Sequence, residues 1–397
     1  MIMNPIHEIC AEFRQRREEL EMPLSEVKRE LDAFDSIFLY GAGSSGIAFL
    51  DFLRRQGLDA DGFLDSDPSK AGTFCEDLPV FSPADGKGLN GTALVIVCIN
   101  TDGIRYCKSF DEALRIGGHH GVYDKLHGCG YENVIDYTFF RRCFALFRTE
   151  RYNAPSCSDV DLMLEHEEEM AAVFHSLADE KSKEIFEKII RFRLLDDTLK
   201  IPTELQELQY FEPEFYVSRP EAVFVDCGAY DGISLRTFFR VNEDFKAYYG
   251  LEPDPYNFVR LQAYANTFDE NRREKMRLFR AAAWDDDEGV SLYALHGPGS
   301  FVANDIGTVP TCTARIDDLL NGVPATLIKM NIEGSEKQAL HGAEQTIRCC
   351  KPALAIAGYH RTDDLWAVPL MILQYRRDYL LYLRSYMNHM SFVYYAK

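Results

Sequence analysis

Two glycine-rich turns hold the residues whose types and spacing could do chemistry. In "VFVDCGAYDGISL" an apolar run ends on Asp226, and Gly228 and Gly232 follow where backbone must pass close to a ligand. The next apolar run ends on Glu252, in "GLEPDP". A carboxylate there can accept both hydroxyls of a ribose, and charge-assisted bonds of this kind contribute roughly 1.5–3 kcal/mol each. In "FLYGAGSSGIAFL", Gly41, Gly43 and Gly46 stand in G-x-G-x-x-G spacing around Ser44 and Ser45, and Asp65 lies nineteen residues past Gly46. That arrangement fits a dinucleotide: a tight turn, close approach to a pyrophosphate, and an acid on the ribose.

Elements of defined type must position these turns. Apolar residues at helical spacing (Ile9, Phe13, Leu20, Leu24, Val27, Leu31) predict helices in an N-terminal segment, 1–35. "SIFLY", "DADGFLD", "TALVIVCI" and "ENVID" read as strands with helices between them, which predicts a Rossmann-like α/β domain over 36–150. A helical linker over 151–214 follows, and its acidic "EHEEE" reads as a solvated helix face. In the last part, 215–397, strands are expected at Ala222–Asp226, Ala247–Leu251, Met276–Arg280, Thr326–Asn331 and Ala353–Ala357. Two more are expected in the tail, in "DYLLYLRSY" and "MSFVYYAK". The expected class is therefore α/β, two Rossmann-like three-layer units joined by a helical segment.

Composition narrows the partners. A net charge of −20 over 397 residues argues against nucleic acid and against an anionic membrane surface. No apolar stretch approaches the ~20 residues of a membrane helix. The eleven cysteines are scattered and lack a Cys-x-x-Cys pair, as expected of reduced thiols in a cytoplasmic protein. "GGHHGVYDKLHGCG" places His119, His120, His127 and Cys129 close together, but the spacing fits no standard zinc set, and no metal is expected.

In order and spacing, "VFVDCGAYDGISL", "GLEPDPYNF", "AAAWDDDEG", "TARIDDLL", "LIKMNIEGSEKQALHGAEQTI", "KPALAIAGYHRTDDLWAVP" and "YLLYLRSY" resemble the FkbM-type family of S-adenosylmethionine-dependent methyltransferases. The resemblance covers nearly all of 220–397. It implies a class I methyltransferase fold closed by a terminal β-hairpin. It also implies that Asp226, Gly228, Ala229, Tyr230 and Gly232 cradle the methionine part of the cofactor. Glu252 would hold the ribose with Asp254 nearby, and Ala282, Ala283 and Trp284 would flank the adenine.

Methyl transfer to a hydroxyl needs alignment and a base within hydrogen-bond reach. In "IKMNIEGSE", a strand would put Lys329, Asn331 and Glu333 on one face. Asn331 departs from the commoner aspartate of "KIDVEG", and an amide cannot be the base. Glu333 is either that base or a helix-start residue, and His360 is either the base or structural. Lys329, if buried, is expected to pair with an acid.

The first glycine loop resembles N-terminal Rossmann-like domains of sugar-modifying enzymes, such as sialic-acid-type acetyltransferases. This implies a nucleotide or nucleotide-sugar pocket; a working NAD site and a structural remnant stay open beside it. The expected function is methylation of a hydroxyl by S-adenosylmethionine, with a small molecule, a sugar or glycan precursor, as the expected acceptor. The alternatives are an NAD-dependent oxidoreductase and a non-catalytic nucleotide-sensing module, each using the GAGSSG domain.

Overall fold

The computed structural model describes residues 4–86, 92–99, 109–116, 120–143, 159–197, 200–294, 299–304, 307–386 and 391–397. It divides into two compact units. The N-terminal unit takes the described residues within Glu8–Glu165 and Arg191–Thr198, and the C-terminal unit takes the others.

The N-terminal unit begins inside helix Pro5–Leu20, at Glu8, and continues with helix Leu24–Leu31; Phe13, Val27 and Leu31 are buried. Six strands follow: β1 (Ser36–Tyr40), β2 (Gly62–Leu64), β3 (Phe74–Cys75), β4 (Leu78–Phe81), β5 (Ala93–Val97) and β6 (Asn133–Asp136). Their order is β3-β4-β2-β1-β5-β6, and every neighbouring pair is parallel except β3 with β4. β1 and β5 are continuous apolar runs because a parallel sheet is covered on both faces. Phe49, Phe52, Phe63 and Phe140 fill the core against them. The order reverses at β1, which puts the GAGSSG turn at the point where such sheets bind ligands.

The C-terminal unit holds the larger sheet, built from β7 (Val223–Cys227), β8 (Ala247–Leu251) and β9 (Met276–Phe279) on one side. A small four-stranded sheet intervenes in the chain: β10 (Ala281–Ala283), β11 (Val290–Tyr293), β12 (Phe301–Val302) and β13 (Val309–Ala314). Then come β14 (Leu327–Met330), β15 (Ala353–Ala357), β16 (Leu381–Ser385) and β17 (Phe392–Ala396). The seven strands run in the order β16-β17-β15-β14-β7-β8-β9, with only β17 antiparallel to its neighbours. This is the α/β class expected, with its terminal hairpin. The order reverses between β7 and β14, so the chain leaving both strands borders one crevice.

The edge strand β16 is not left bare. Leu177 bridges to Leu381 and Thr203 to Ser385, and the amides of Ala178 and Glu204 donate to the carbonyls of Leu381 and Ser385 at 2.7 and 2.8 Å. Arg384, on the same strand, reaches Asp179 and Glu214 at 2.7 and 2.8 Å. Helix Glu167–Ser176 lies in this unit too, and the His166 ring before it stacks on Trp366 at 5.0 Å.

The helical reading of the middle segment holds for Val160–Glu165, Glu167–Ser176 and Glu180–Leu195. Beyond Leu195 the described chain is irregular apart from a 3-10 turn at Gln206–Leu208. β14 also ends earlier than expected. Asn331 still donates its amide to the Cys227 carbonyl, but Glu333 and Gly334 take left-handed backbone with φ of 56° and 95°, which ends any strand. Glu333 therefore sits on a turn, and the expectation that it shares a strand face with Lys329 is corrected.

Candidate active site

The turn after β7 folds back on the end of β8. Gly228 and Ala229 both donate their amides to the Leu251 carbonyl at 3.0 Å. Gly228 has φ of 79°, and a Cβ there would overlap the Asn331 carbonyl oxygen, so only glycine fits between β7 and β14. Gly232, with φ of 91°, starts helix Ile233–Val241 and packs against Tyr264. Between them Tyr230 has φ of 52° and donates its amide to Glu252 Oε2 at 2.8 Å.

Glu252 is thus drawn into the glycine turn, as its position after β8 predicts. Its other oxygen accepts from the Asp254 amide at 3.0 Å. Burial pushes its carboxyl up to about 7; the two amides and a side-chain bond from Asn257 offset part of that, and the Asp254 charge adds to it. A carboxylate has about four acceptor positions, so two amides and one side chain leave about one for a further donor. A buried acid with an acceptor position left beside a glycine turn suits a ribose hydroxyl.

Asp226 is fully buried at the end of β7. Ser234 and Tyr248 donate their hydroxyls to its Oδ2, and Lys329 Nζ lies 3.0 Å from Oδ1. Lys329 also donates to the carbonyls of Cys227 and Gly228, at 3.1 and 2.7 Å. It therefore pairs with an acid and ties the glycine turn to β14. Asp254 caps helix Pro255–Ala265 through the amides of Tyr256 and Asn257, and Ser300 donates to its other oxygen at 2.6 Å. Ala282 and Ala283 are buried in β10, and the half-buried Trp284 follows them.

Beyond β14 and β15 a second group converges. Asn331 Oδ1 accepts from the Tyr359 hydroxyl at 2.9 Å. The His360 ring is buried with a carboxylate on each side: Nδ1 is 2.9 Å from Glu336 Oε1, and Nε2 is 3.5 Å from Glu333 Oε1. Burial works against a proton on this ring, but the charges of Glu336 and Glu333 outweigh it and hold His360 well above its usual value. Burial likewise opposes ionisation of Glu336; the His360 charge and hydrogen bond, with backbone amides, pull its carboxyl below the usual range. Glu336 accepts from the amides of Ile332 and Gly334 at 2.9 and 3.0 Å, which fixes the turn carrying Glu333. Glu333 is the more exposed partner, with 28% of its side chain open to solvent.

Four residues here went unread in the sequence: Tyr210, Glu336, Tyr359 and Asp364. Tyr210 holds φ of 74°, donates its amide to the Tyr395 hydroxyl, and faces Lys329 Nζ 5.3 Å from its ring centre. Glu336 opens the helix after the turn that carries Glu333, and only its burial beside His360 marks it out.

In the N-terminal unit, Gly41 has φ of 108° and Gly46 packs against the Gly41 carbonyl, while the face of Gly43 is open. Ser44 begins the helix after the turn, and Ser45 is buried in its first turn. Asp65 spends its carboxylate on the chain itself, accepting from the amides of Ala42 and Asp67 and from Lys70 Nζ at 3.0, 2.9 and 3.1 Å. Of the His/Cys group, His119 lies outside the described residues, and His127 Nδ1 contacts the Tyr131 carbonyl at 2.8 Å.

The methyltransferase FkbM domain model matches residues 226–394. A methyltransferase FkbM from Methylobacillus flagellatus KT has a similar crystal structure, with a TM-score of 0.65 and 20% identity over 99% of this chain and 100% of that one. An rRNA methylase from Streptococcus thermophilus aligns at a TM-score of 0.30 and 13% identity, over 46% of this chain and 89% of that one. No curated protein matches the sequence. The residues matched by the methyltransferase FkbM domain model take in the turns at the ends of β7, β8 and β14 and most of the larger sheet.

Proposed function

We propose that this protein moves a methyl group from S-adenosylmethionine to a hydroxyl group of a sugar or glycan precursor. The observation that carries the reading is the pair of acids at one end of the sheet. Glu252 is buried against the glycine turn, and Glu333 stands on the turn after β14 with His360 behind it. Gly228, Ala229, Tyr230 and Gly232 form the floor for the methionine part, Glu252 accepts from the ribose, and Ala282, Ala283 and Trp284 border the base. Bound there, S-adenosylmethionine would supply an electrophilic methyl group on a sulfonium.

The acceptor hydroxyl must lose its proton as the methyl group arrives. Glu333 takes it, with the His360 ring, held by Glu336 at Nδ1, lying behind it at 3.5 Å. Asn331, fixed by Tyr359, orients the acceptor through its amide. Lys329 is held by Asp226 and serves the framework. A nucleotide or nucleotide-sugar is proposed at the N-terminal glycine turn, favoured by the open face of Gly43.

Two measurements test this. Calorimetry should find micromolar S-adenosylhomocysteine binding that disappears in Glu252→Ala. Transfer of labelled methyl to a panel of free and nucleotide-linked sugars should fall roughly 100- to 10,000-fold in Glu333→Gln, with S-adenosylhomocysteine affinity nearly unchanged. Unchanged transfer in Glu333→Gln would remove it as the base; binding of NAD and not S-adenosylhomocysteine would overturn the reading.

A further inference from the structure

We infer that Glu336, His360 and Asp364 form a buried binding site for one divalent transition-metal ion of zinc type. One donor atom from each lies within 4.8 Å of the other two, and all three side chains are buried. His360 is already paired with Glu336, so Asp364 is a further buried acid that needs compensation, and buried charges in proteins are paired or bind metal.

The second observation is at Asp364. This residue is fully buried, yet its Oδ1 has no hydrogen-bond partner, while Oδ2 accepts from the Arg361 amide at 2.8 Å. A satisfied carboxylate would use both oxygens, so an acceptor oxygen left over beside two other ligand-type groups marks a place for a cation.

The outer contacts are those a metal site uses. Ligating histidines nearly always donate their second ring N–H to a carboxylate or carbonyl, which fixes the tautomer. In His360, Nε2 lies 3.5 Å from Glu333 Oε1, the carboxylate placed to take that proton, and Nδ1 faces Glu336 Oε1 at 2.9 Å. Two ligands about 2.1 Å from one tetrahedral ion stand about 3.4 Å apart, so that edge would open by about 0.5 Å to share an ion. Glu336 is oriented by the amides of Ile332 and Gly334 and Asp364 by that of Arg361, so each ligand has its own anchor. One imidazole with two carboxylates is a borderline donor set, suited to zinc and its first-row neighbours. The ion would fix the ring behind Glu333. The site is independent of the methyl-transfer reading, since it rests on ligands and burial and not on any cofactor.

The test uses the full chain, stripped with a chelator and titrated with zinc against an indicator dye. One zinc per chain is expected. Asp364→Asn should weaken binding by roughly 100-fold or more, and Glu333→Gln, which keeps all three ligands, by roughly 10-fold. X-ray absorption on the zinc-loaded wild-type chain should show one imidazole nitrogen and two carboxylate oxygens near 2.0–2.2 Å. That measurement decides the matter even where Asp364→Asn fails to fold. Absence of stoichiometric binding, unchanged affinity in a folded Asp364→Asn, or a shell containing sulfur from the cysteines would each overturn the assignment.

Discussion

Glu252 ties the affinity of the site to pH. Its carboxyl is pushed up to about 7 by burial, against 4.5 for an ordinary glutamate, so the folded chain holds a proton that the unfolded chain gives up. Stability is therefore lost as pH rises from about 4.5 to 7, by roughly 3 kcal/mol from this one group. Ribose hydroxyls donate to the ionised form and recover part of that loss. S-adenosylhomocysteine affinity should then rise about tenfold between pH 6 and pH 8 in calorimetry, and the slope should vanish in Glu252→Gln. Three residues bordering the site, Tyr210, Tyr230 and Glu333, have side chains and yet adopt positive φ, of 74°, 52° and 56°. Such conformations cost on the order of 1–3 kcal/mol and persist only where surrounding contacts impose them. Here the contacts are identifiable: the Tyr395 hydroxyl for Tyr210, Glu252 for Tyr230, and the Glu336-bound turn for Glu333.

Between elements, the connection between β7 and β14 matters most. Lys329 and Asp226 form an ion pair with side chains only 3% and 0% exposed. Removing one partner of such a pair leaves a buried charge, so Lys329→Met should cost about 3–5 kcal/mol in denaturant unfolding. Gly228→Ala should also destabilise, because its Cβ would meet backbone at a left-handed position; a lower melting temperature checks this. These strands were legible in the sequence because each is a short apolar run closed by an acid or a glycine. Ala247–Leu251 and Ala353–Ala357 match to the residue. The small sheet of β10 to β13 was not legible: its strands are short, Ala281–Ala283 lacks β-branched residues, and Pro310 interrupts the last. Of the site, the glycine turns, Glu252 and the Lys329 pairing could be read, because strand ends carry position. Glu336 and Asp364 could not, since their meaning comes from burial beside His360, and they are two among 63 acidic residues.

At the scale of the molecule, the compact unit that carries the candidate site is larger than the stretch matched by the family model. Residues 166–190 belong to the same compact unit as 199–397 and cover both Trp366 and the edge of β16. A chain cut to 215–397 loses that cover, and an exposed strand edge invites pairing with other chains. Such a fragment should aggregate in size-exclusion chromatography, whereas the full chain should not. The edge contact also sets a timetable. Leu381 leaves the ribosome about 200 residues after Leu177, the residue it bridges. At roughly 5–20 residues per second, the earlier segment waits on the order of 10–40 s for its partner. Throughout that interval the segment is without the strand it bridges in the folded unit, and slowing translation between the two lengthens the wait.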